Sequence, residues 1–322
     1  MTAFNPNHPD VKKKVEKYIS ASLGLSLDFI LALPIKGGGR TLPWKVELAN
    51  GDKQLFIILK TPNLEENNIS GDKYDFFRQY RLLKQLETTK LKTPKVWGAN
   101  EKGTALGIPC FLEESLKGRT LYNSLKIKEK WADELYIKSI IDIQKIKSEE
   151  LGAVAKELGE GTKIKYMFFN IEKEIKQLTK GPLISSVLDK LNAGVPEALP
   201  FCFGNGDFNP KNFLAKDKQL AGILDFECAG CFDPLYEFLF PLEKYPLLKN
   251  RGLEEEYCGQ MGFKNKNIEW YRGLILITKL LESLKDEKSS KPVENEERNI
   301  KEETLAELSK WTKEADACPP II

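Results

Sequence analysis

The sequence predicts an α+β protein with two lobes. The first, over residues 1–115, is small and β-rich, with an antiparallel sheet and a helix, and the second, over residues 116–322, is larger and mainly helical. Strand patterns dominate from about residue 28 to 60, and helical patterns dominate from about residue 121 to 199 and again further on. Polar clusters stand between the two helical stretches, at the ends of short apolar strands. Reactive motifs just past the junction of a β-rich front and a helical rear are typical of a cleft between lobes.

The elements of the front lobe follow from the spacing of its apolar residues. Residues 11–22 have helical spacing, and the alternation over residues 44–48 is typical of a strand. Asn50-Gly51-Asp52 predicts a hairpin turn before a buried strand that ends on Lys60. A lysine at a strand end is expected to be partly solvated. Near a lobe junction its ammonium could instead neutralise phosphate oxygens.

A glycine run, Gly37-Gly38-Gly39, lies between two of these strands. Glycines let a backbone turn tightly and approach a ligand closely, so the amides of the run could face phosphate. A plain flexible hairpin explains the run equally well.

The later elements are predicted in the same way. The chain returns to helical period over residues 72–87, and further strands are expected over residues 96–98 and 108–112. Residues 268–284 form the most regular helix pattern. The charged stretch 286–299, which contains two serines and a proline, predicts a solvated loop.

Composition narrows the class of protein. The chain has 322 residues, of which 41% are hydrophobic and 30% charged, with a net charge of +2. These values describe a soluble globular protein and predict no affinity for nucleic acid or membranes. The longest apolar runs fall far short of the roughly 18 residues that span a bilayer, and no secretory signal is apparent. A cytoplasmic location is expected.

Histidine and cysteine usage excludes several kinds of site. His8 is the only histidine, which removes Ser-His-Asp and Cys-His catalysis and most histidine-ligated metal sites. Six cysteines are scattered without framework spacing, and reduced thiols are expected. Cys228 and Cys231 form a single CxxC, which lacks the second pair that a zinc site requires. Acid-base chemistry must therefore come from other side chains.

The most informative motif runs from Gly206 to Asn212 and contains Asp207. Asp225-Phe226-Glu227 follows after a short predicted hairpin. An aspartate, an asparagine five residues later and a second aspartate form the set that ATP-dependent phosphoryl transfer uses. One carboxylate accepts the proton of an attacking hydroxyl, while the asparagine and the second aspartate hold magnesium.

Together these features resemble the aminoglycoside phosphotransferase and choline kinase-like family, small-molecule kinases with a protein-kinase-like fold. The residues 205–212 look like the catalytic loop of that family. Residues 222–227, followed by 230–234, are similar to its metal-binding segment. The front lobe is consistent over several short segments, which are residues 37–41, 44–46, 58–60, 78–86, 93–96 and 111–115, the last ahead of Gly118-Arg119. The resemblance covers nearly the whole chain in order.

The resemblance implies roles for individual residues. Asp207 is the expected base, and Asn212 and Asp225 are expected to hold Mg²⁺. Lys60 is expected to contact the phosphates of ATP. The backbone from Glu114 to Leu116 is expected to hold adenine.

Two departures from the family pattern stand out. Asn205 replaces the usual histidine before Gly-Asp, and an amide can still donate and accept hydrogen bonds. Gln79 occupies the helix position where the family has a glutamate paired with the strand lysine. Gln79 can accept a bond from Lys60 without adding charge, or another acid such as Glu87 could serve. Asp233-Pro234 is either a simple turn or a buried aspartate bonded to the catalytic loop.

The leading interpretation is an ATP- and Mg²⁺-dependent kinase that phosphorylates a hydroxyl group of a small molecule. The alternative is a nucleotide-binding pseudokinase or scaffold, which the departures at Asn205 and Gln79 favour. Protein kinase activity is disfavoured because no Ala-Pro-Glu element follows Glu227. Glu227, Trp270 and Tyr271 are candidate acceptor-binding residues by position and type only.

Overall fold

The computed structural model describes residues 4–35, 40–63, 75–159, 161–263, 267–288 and 295–317. The chain divides into two compact units. One contains Met1–Tyr136, Ile146–Leu158 and Asn205–Ala229, and the other contains the rest. The predicted lobe boundary between residues 115 and 116 stays a prediction. The hairpin that follows Asn205 groups with the first part of the chain, because it hydrogen-bonds to residues of that part.

The first unit is built on a five-stranded antiparallel sheet. In spatial order its strands are the first, second, third, fifth and fourth along the chain, with one helix before the first strand and another between the third and the fourth. The bounds are α1 Pro9–Leu23, β1 Asp28–Pro34, β2 Thr41–Asn50, β3 Lys53–Pro62, α2 Phe76–Leu86, β4 Val96–Asn100 and β5 Cys110–Glu114.

Sequence pattern accounts for this sheet. Val15 and Ile19 on one face of α1 join a buried cluster with alternate residues of the strands, such as Val46 and Leu48 of β2. The β2–β3 hairpin turns at Gly51, whose φ of +59° is one that glycine adopts without steric cost. The helix and the hairpin predicted here are confirmed.

The same unit holds a second, three-stranded sheet that carries polar motifs. Strand β6 (Arg119–Thr120) pairs with β8 (Phe213–Lys216), which forms a hairpin with β9 (Gln219–Ile223). Asp217 and Lys218 connect β8 and β9 with φ of +52° and +60°, the two positive values that a two-residue primed turn needs. The short helices of this part are α3 Leu121–Lys126 and α5 Ser148–Leu151, and α4 (Lys130–Gln144) is divided between the units after Tyr136.

The second unit is mainly helical. Its elements are α6 Ile164–Leu178, α7 Pro182–Ala193, β7 Cys202–Gly204, β10 Gly230–Phe232, α8 Pro234–Lys244, α9 Leu253–Met261, α10 Ile268–Lys288 and α11 Asn295–Ala317. Helix α10 packs against α6, α7, α8 and α11, and its buried face includes Leu274, Ile275 and Ile277. In the part of the chain that the structure describes, no helix combines the length and apolar character needed to cross a membrane.

The charged stretch 286–299 was expected to be a solvated loop, and this expectation is wrong at both ends. Helix α10 continues to Lys288, and α11 begins at Asn295. Glutamate, lysine and arginine are good helix formers that keep their charges in water, so a charged segment extends a helix without needing a buried face. Residues 289–294 lie outside the described residues.

Candidate active site

The loop that carries Asp207 is supported from inside by Asn205. This asparagine is fully buried, at 0% exposure. Its side-chain oxygen accepts a bond from the Asp207 amide at 3.1 Å, and its side-chain nitrogen donates to the Asp207 carbonyl at 3.2 Å. The amide at this position therefore donates and accepts within the loop, so replacement of histidine by asparagine leaves the loop supported.

Two further contacts hold the loop. Gly206 has φ of +77°, and a Cβ atom there would lie 2.1 Å from the carbonyl oxygen of Cys228. Only glycine allows this approach between the Asp207 loop and the segment that follows Asp225. The buried Tyr136 hydroxyl donates to the Phe208 carbonyl on the other side of Asp207.

Asn212 lies directly beside Asp207. Asn209 caps the single turn Pro210–Asn212 by accepting a bond from the Lys211 amide at 3.0 Å. This turn brings the side-chain nitrogen of Asn212 to 3.0 Å from both the carbonyl and the carboxylate Oδ2 of Asp207. Because the nitrogen of Asn212 faces Asp207, its side-chain oxygen is the atom left to act as a metal ligand.

Asp225 is placed by the hairpin that starts at Asn212. The Leu224 amide donates to the Asn212 carbonyl at 2.7 Å, so the residue before Asp225 is bonded directly to the end of the catalytic loop. Asp225 itself has φ of +60°, a left-handed conformation that is uncommon for a residue with a Cβ. Such conformations cost free energy and persist where surrounding structure holds them, often at functional sites.

Lys60 differs from its prediction in burial and in position. It lies within β3 rather than at a strand end, and it is 8% exposed rather than partly solvated. Its ammonium is 3.4 Å from Oε2 of Glu113, which is 5% exposed on β5. Burial lowers the Lys60 pKa, but the carboxylates of Glu113, Asp225 and Glu227 outweigh it and raise the pKa above its usual value. The Lys60 ammonium is therefore charged, and the Asp225 carboxylate is near enough to raise its pKa.

Neither of the two residues suggested as a partner of Lys60, Gln79 and Glu87, pairs with it. Gln79 is 2% exposed, and neither atom of its side-chain amide has a hydrogen-bond partner in the part of the chain that the structure describes. Glu87 is engaged elsewhere, since it accepts bonds from Lys84 and from the Val96 amide, each at 3.0 Å. The partner, Glu113, was missed. A glutamate in the apolar strand Cys110-Phe111-Leu112 was the available signal.

Glu227 contacts the sheet of the same unit. Its carboxylate accepts a bond from the buried Thr41 hydroxyl, and its carbonyl accepts one from Arg78 at 2.9 Å. Burial raises the Glu227 pKa, opposed by the Thr41 bond, and Asp225 raises it further. The role of Glu227 in acceptor binding stays a prediction. Thr41 and Arg78 lie in segments that resemble the family, but no individual role was predicted for either residue.

The segment expected to hold adenine forms the end of β5 and the residues after it. The Glu114 amide donates to the Lys95 carbonyl at 2.8 Å, so this amide is already bonded within the unit, and adenine binding by the segment from Glu114 to Leu116 stays a prediction. The Leu116 side chain lies over Gly222 of β9, where a Cβ atom would be 2.2 Å from it. The predicted phosphate contacts Gly37, Gly38 and Gly39 lie outside the described residues.

The other two acceptor candidates lie in the core of the second unit. The Trp270 ring nitrogen donates to the Leu191 carbonyl at 2.8 Å, and the Tyr271 hydroxyl donates to Oδ2 of Asp233 at 2.9 Å. Both rings are buried, so their placement favours packing over ligand binding. Oδ1 of Asp233 accepts bonds from the amides of Leu235 and Tyr236, and so Asp233 is the buried N-cap of α8.

The donor atoms near Asp207 suit magnesium. Asn212 and Asp225 offer amide and carboxylate oxygens, the hard ligands that Mg²⁺ binds, usually through one or two protein groups together with phosphates. Cys228 and Cys231 are free thiols. Over the described ranges, no group of three or more His, Cys, Asp or Glu side chains is arranged to hold a metal ion by itself.

Comparison with known proteins shows the family of this chain. A family model described as the phosphotransferase enzyme family matches residues 44–246, well over half of the chain. The chain belongs to this family. None of the curated protein sequences compared with it matches.

Several solved structures share the fold. A candidate aminoglycoside phosphotransferase from Ralstonia eutropha JMP134 has a TM-score of 0.72 at 14% identity, over 95% of this chain and 98% of that one. Aminoglycoside phosphotransferase APH(4)-Ia, in complex with AMP-PNP and hygromycin B, has a TM-score of 0.62 at 13% identity, over 93% and 98%. A choline/ethanolamine kinase family protein from Mesorhizobium loti has a TM-score of 0.58 at 15% identity, over 94% and 95%. The predicted two-lobed, protein-kinase-like fold and the predicted family are confirmed.

Proposed function

We propose that this phosphotransferase transfers the γ-phosphoryl group of ATP to a hydroxyl of a small molecule, with Asp207 as the base and Mg²⁺ held by Asn212 and Asp225. The observation that carries the proposal is the bonded chain from Asp207 through Asn212 to Leu224. It ties the base and both metal ligands into one rigid segment. Rigid mounting of this kind is what phosphoryl transfer requires of a protein, since its contribution is positioning and electrostatics.

Each residue has a distinct part in the reaction. Asp207 accepts the proton of the acceptor hydroxyl as the new O–P bond forms, while the bond between the γ-phosphorus and its bridging oxygen breaks and ADP leaves. When bound, Mg²⁺ neutralises phosphate charge. Lys60 supplies a fixed positive charge for phosphate oxygens, because the carboxylates around it keep it protonated.

The nucleotide and acceptor classes are also supported by related structures. APH(4)-Ia was solved with AMP-PNP and hygromycin B, and APH(2'')-Ib was solved with ADP bound. We infer a nucleotide and a hydroxyl-bearing small molecule as the two substrates here. The pseudokinase alternative depended on Asn205 and Gln79, and it loses its support because Asn205 bonds the loop and Glu113 pairs with Lys60.

Two substitutions test this function. Asp207→Asn keeps size and hydrogen bonding but cannot take the proton, so kcat should fall by roughly 10²–10⁴-fold while AMP-PNP still binds. Asp225→Asn removes an anionic metal ligand and should instead weaken Mg²⁺-dependent AMP-PNP binding. The acceptor is found first, by measuring ATP consumption with amino sugars, amino alcohols, nucleosides and sugars. Unchanged turnover in both variants would refute the proposal.

A further inference from the structure

The residue that positions Lys60 is not the one expected on helix α2. Gln79 occupies the helix position, but it is uncharged and buried, and its amide has no hydrogen-bond partner among the described residues. An amide in that state contributes no directed interaction to a lysine. The positioning charge therefore has to come from another element.

Strand register brings Glu113 to Lys60. In the β3–β5 ladder, Lys60 is opposite Phe111 and Ile58 is opposite Glu113. Side chains two residues apart on a strand share a face, so Lys60 and Glu113 are diagonal neighbours on one face of the sheet. Their charged atoms are 3.4 Å apart.

Burial makes this pair more consequential than a surface ion pair. Lys60 is 8% exposed and Glu113 is 5% exposed, so neither charge can exchange its partner for water. Among the described residues, Oε2 of Glu113 accepts no hydrogen bond, and the Lys60 ammonium is the charged group paired with it. Among the carboxylates that act on Lys60, Glu113 has the largest effect, ahead of Asp225 and Glu227.

We propose that Glu113 is the positioning residue that holds the Lys60 ammonium for the nucleotide phosphates, and that this task lies within the sheet rather than on α2. The proposal rests on the phosphotransferase function proposed above. Its consequence is an ion pair between two strands joined by backbone hydrogen bonds, which does not depend on the position of a helix. Lys60 is then held for the nucleotide at all times.

The test compares Glu113→Gln with Gln79→Met, using AMP-PNP with Mg²⁺ as the calorimetric probe. Glu113→Gln should weaken AMP-PNP binding about 10–100-fold, because Lys60 loses its fixed position. Gln79→Met has nearly the same volume and removes an amide that has no partner among the described residues, so its affinity should match the native protein. Glu87→Gln, which alters an acid bonded to Lys84, is the matched charge control and should also bind normally.

A pH series distinguishes positioning from structural support. Without Glu113 the Lys60 pKa falls, so Lys60 loses its proton earlier as the pH is raised. Between about pH 7 and 9.5, the AMP-PNP affinity of Glu113→Gln should therefore begin to decline at a lower pH than that of the native protein. Glu113→Asp keeps the charge but retracts it by one methylene, and it should give an intermediate affinity and a native pH profile. This variant also serves if Glu113→Gln does not fold.

The outcomes separate the two proposals. Glu113→Gln with native AMP-PNP affinity and a native pH profile would overturn the assignment to Glu113. Native affinity in Glu113→Asp, combined with weaker AMP-PNP binding in Gln79→Met, would overturn it as well. Either result would leave the phosphotransferase proposal intact. A native protein that binds no AMP-PNP with Mg²⁺ would overturn the proposed function itself, and the role of Glu113 with it.

Discussion

Lys60→Met should destabilise the protein in a pH-dependent way, because it leaves the Glu113 carboxylate buried without its cation. In the native protein, burial raises the Glu113 pKa and the Lys60 ammonium opposes this rise. Methionine keeps the length of the side chain but removes the charge. The carboxyl then experiences only burial and the repulsion of Asp225, both of which raise its pKa further.

The sign and size of the effect follow from linkage. When folding raises the pKa of a carboxyl, its contribution to the free energy of unfolding is fully present below its ordinary pKa of 4.5. That contribution is lost as the pH rises through the pKa of the folded state. Each pH unit in that window costs about 1.4 kcal/mol. Breaking a buried pair costs about 3–5 kcal/mol, so we expect a loss near 3 kcal/mol at about pH 8 and little at about pH 5.

Thermal unfolding of native and variant protein across this pH range measures the effect. For a chain of 322 residues a loss of about 3 kcal/mol lowers Tm by roughly 4–5 °C. The control is Lys60→Met combined with Glu113→Leu, which replaces both charges by apolar groups and should recover most of the stability. A Tm difference that is equal at both pH values, or a double variant as unstable as the single one, would refute the reasoning.

Two further predictions concern the catalytic loop. Gly206→Ala should lose about 1–2 kcal/mol from its left-handed backbone, plus a steric cost from the Cys228 carbonyl, and kcat should fall because Asp207 moves. Gly51→Ala has a similar φ of +59° but meets no atom within 4 Å, so it should show the backbone cost in Tm with native kcat; equal kcat in the two variants would contradict this explanation. Asn205→Ala removes the buried acceptor of the Asp207 amide, at about 1–3 kcal/mol, while the Asp207 carbonyl keeps its bond from Asn212, so Tm and kcat should both fall. Asn205→Asp can still accept from the amide but buries a carboxylate close to Asp207, so it should be no milder than Asn205→Ala, and a native Tm in Asn205→Ala would argue against the support role.

Local sequence was sufficient for most elements of the first unit and for the spacing of the Asp207 motif. The helix at Pro9–Leu23, the hairpin at Gly51 and the strands β1 to β5 follow from apolar periodicity and turn residues, which act over a few positions. The spacing from Asp207 to Asn212 and on to Asp225 also spans short segments, a single turn and one hairpin. The bonds observed between neighbours in this motif are of the kind that such spacing predicts.

Tertiary structure decided which side chains meet across long separations. The partner of Lys60 depends on the register of β3 against β5, and a shift of one residue would turn Glu113 to the other face. The bond from Thr41 to Glu227 joins residues 186 positions apart, and neither segment by itself predicts contact with the other. Burial of Trp270 and Tyr271 likewise depends on how helices pack. Side-chain pairing between distant segments is set by packing and register, which no short window of sequence contains.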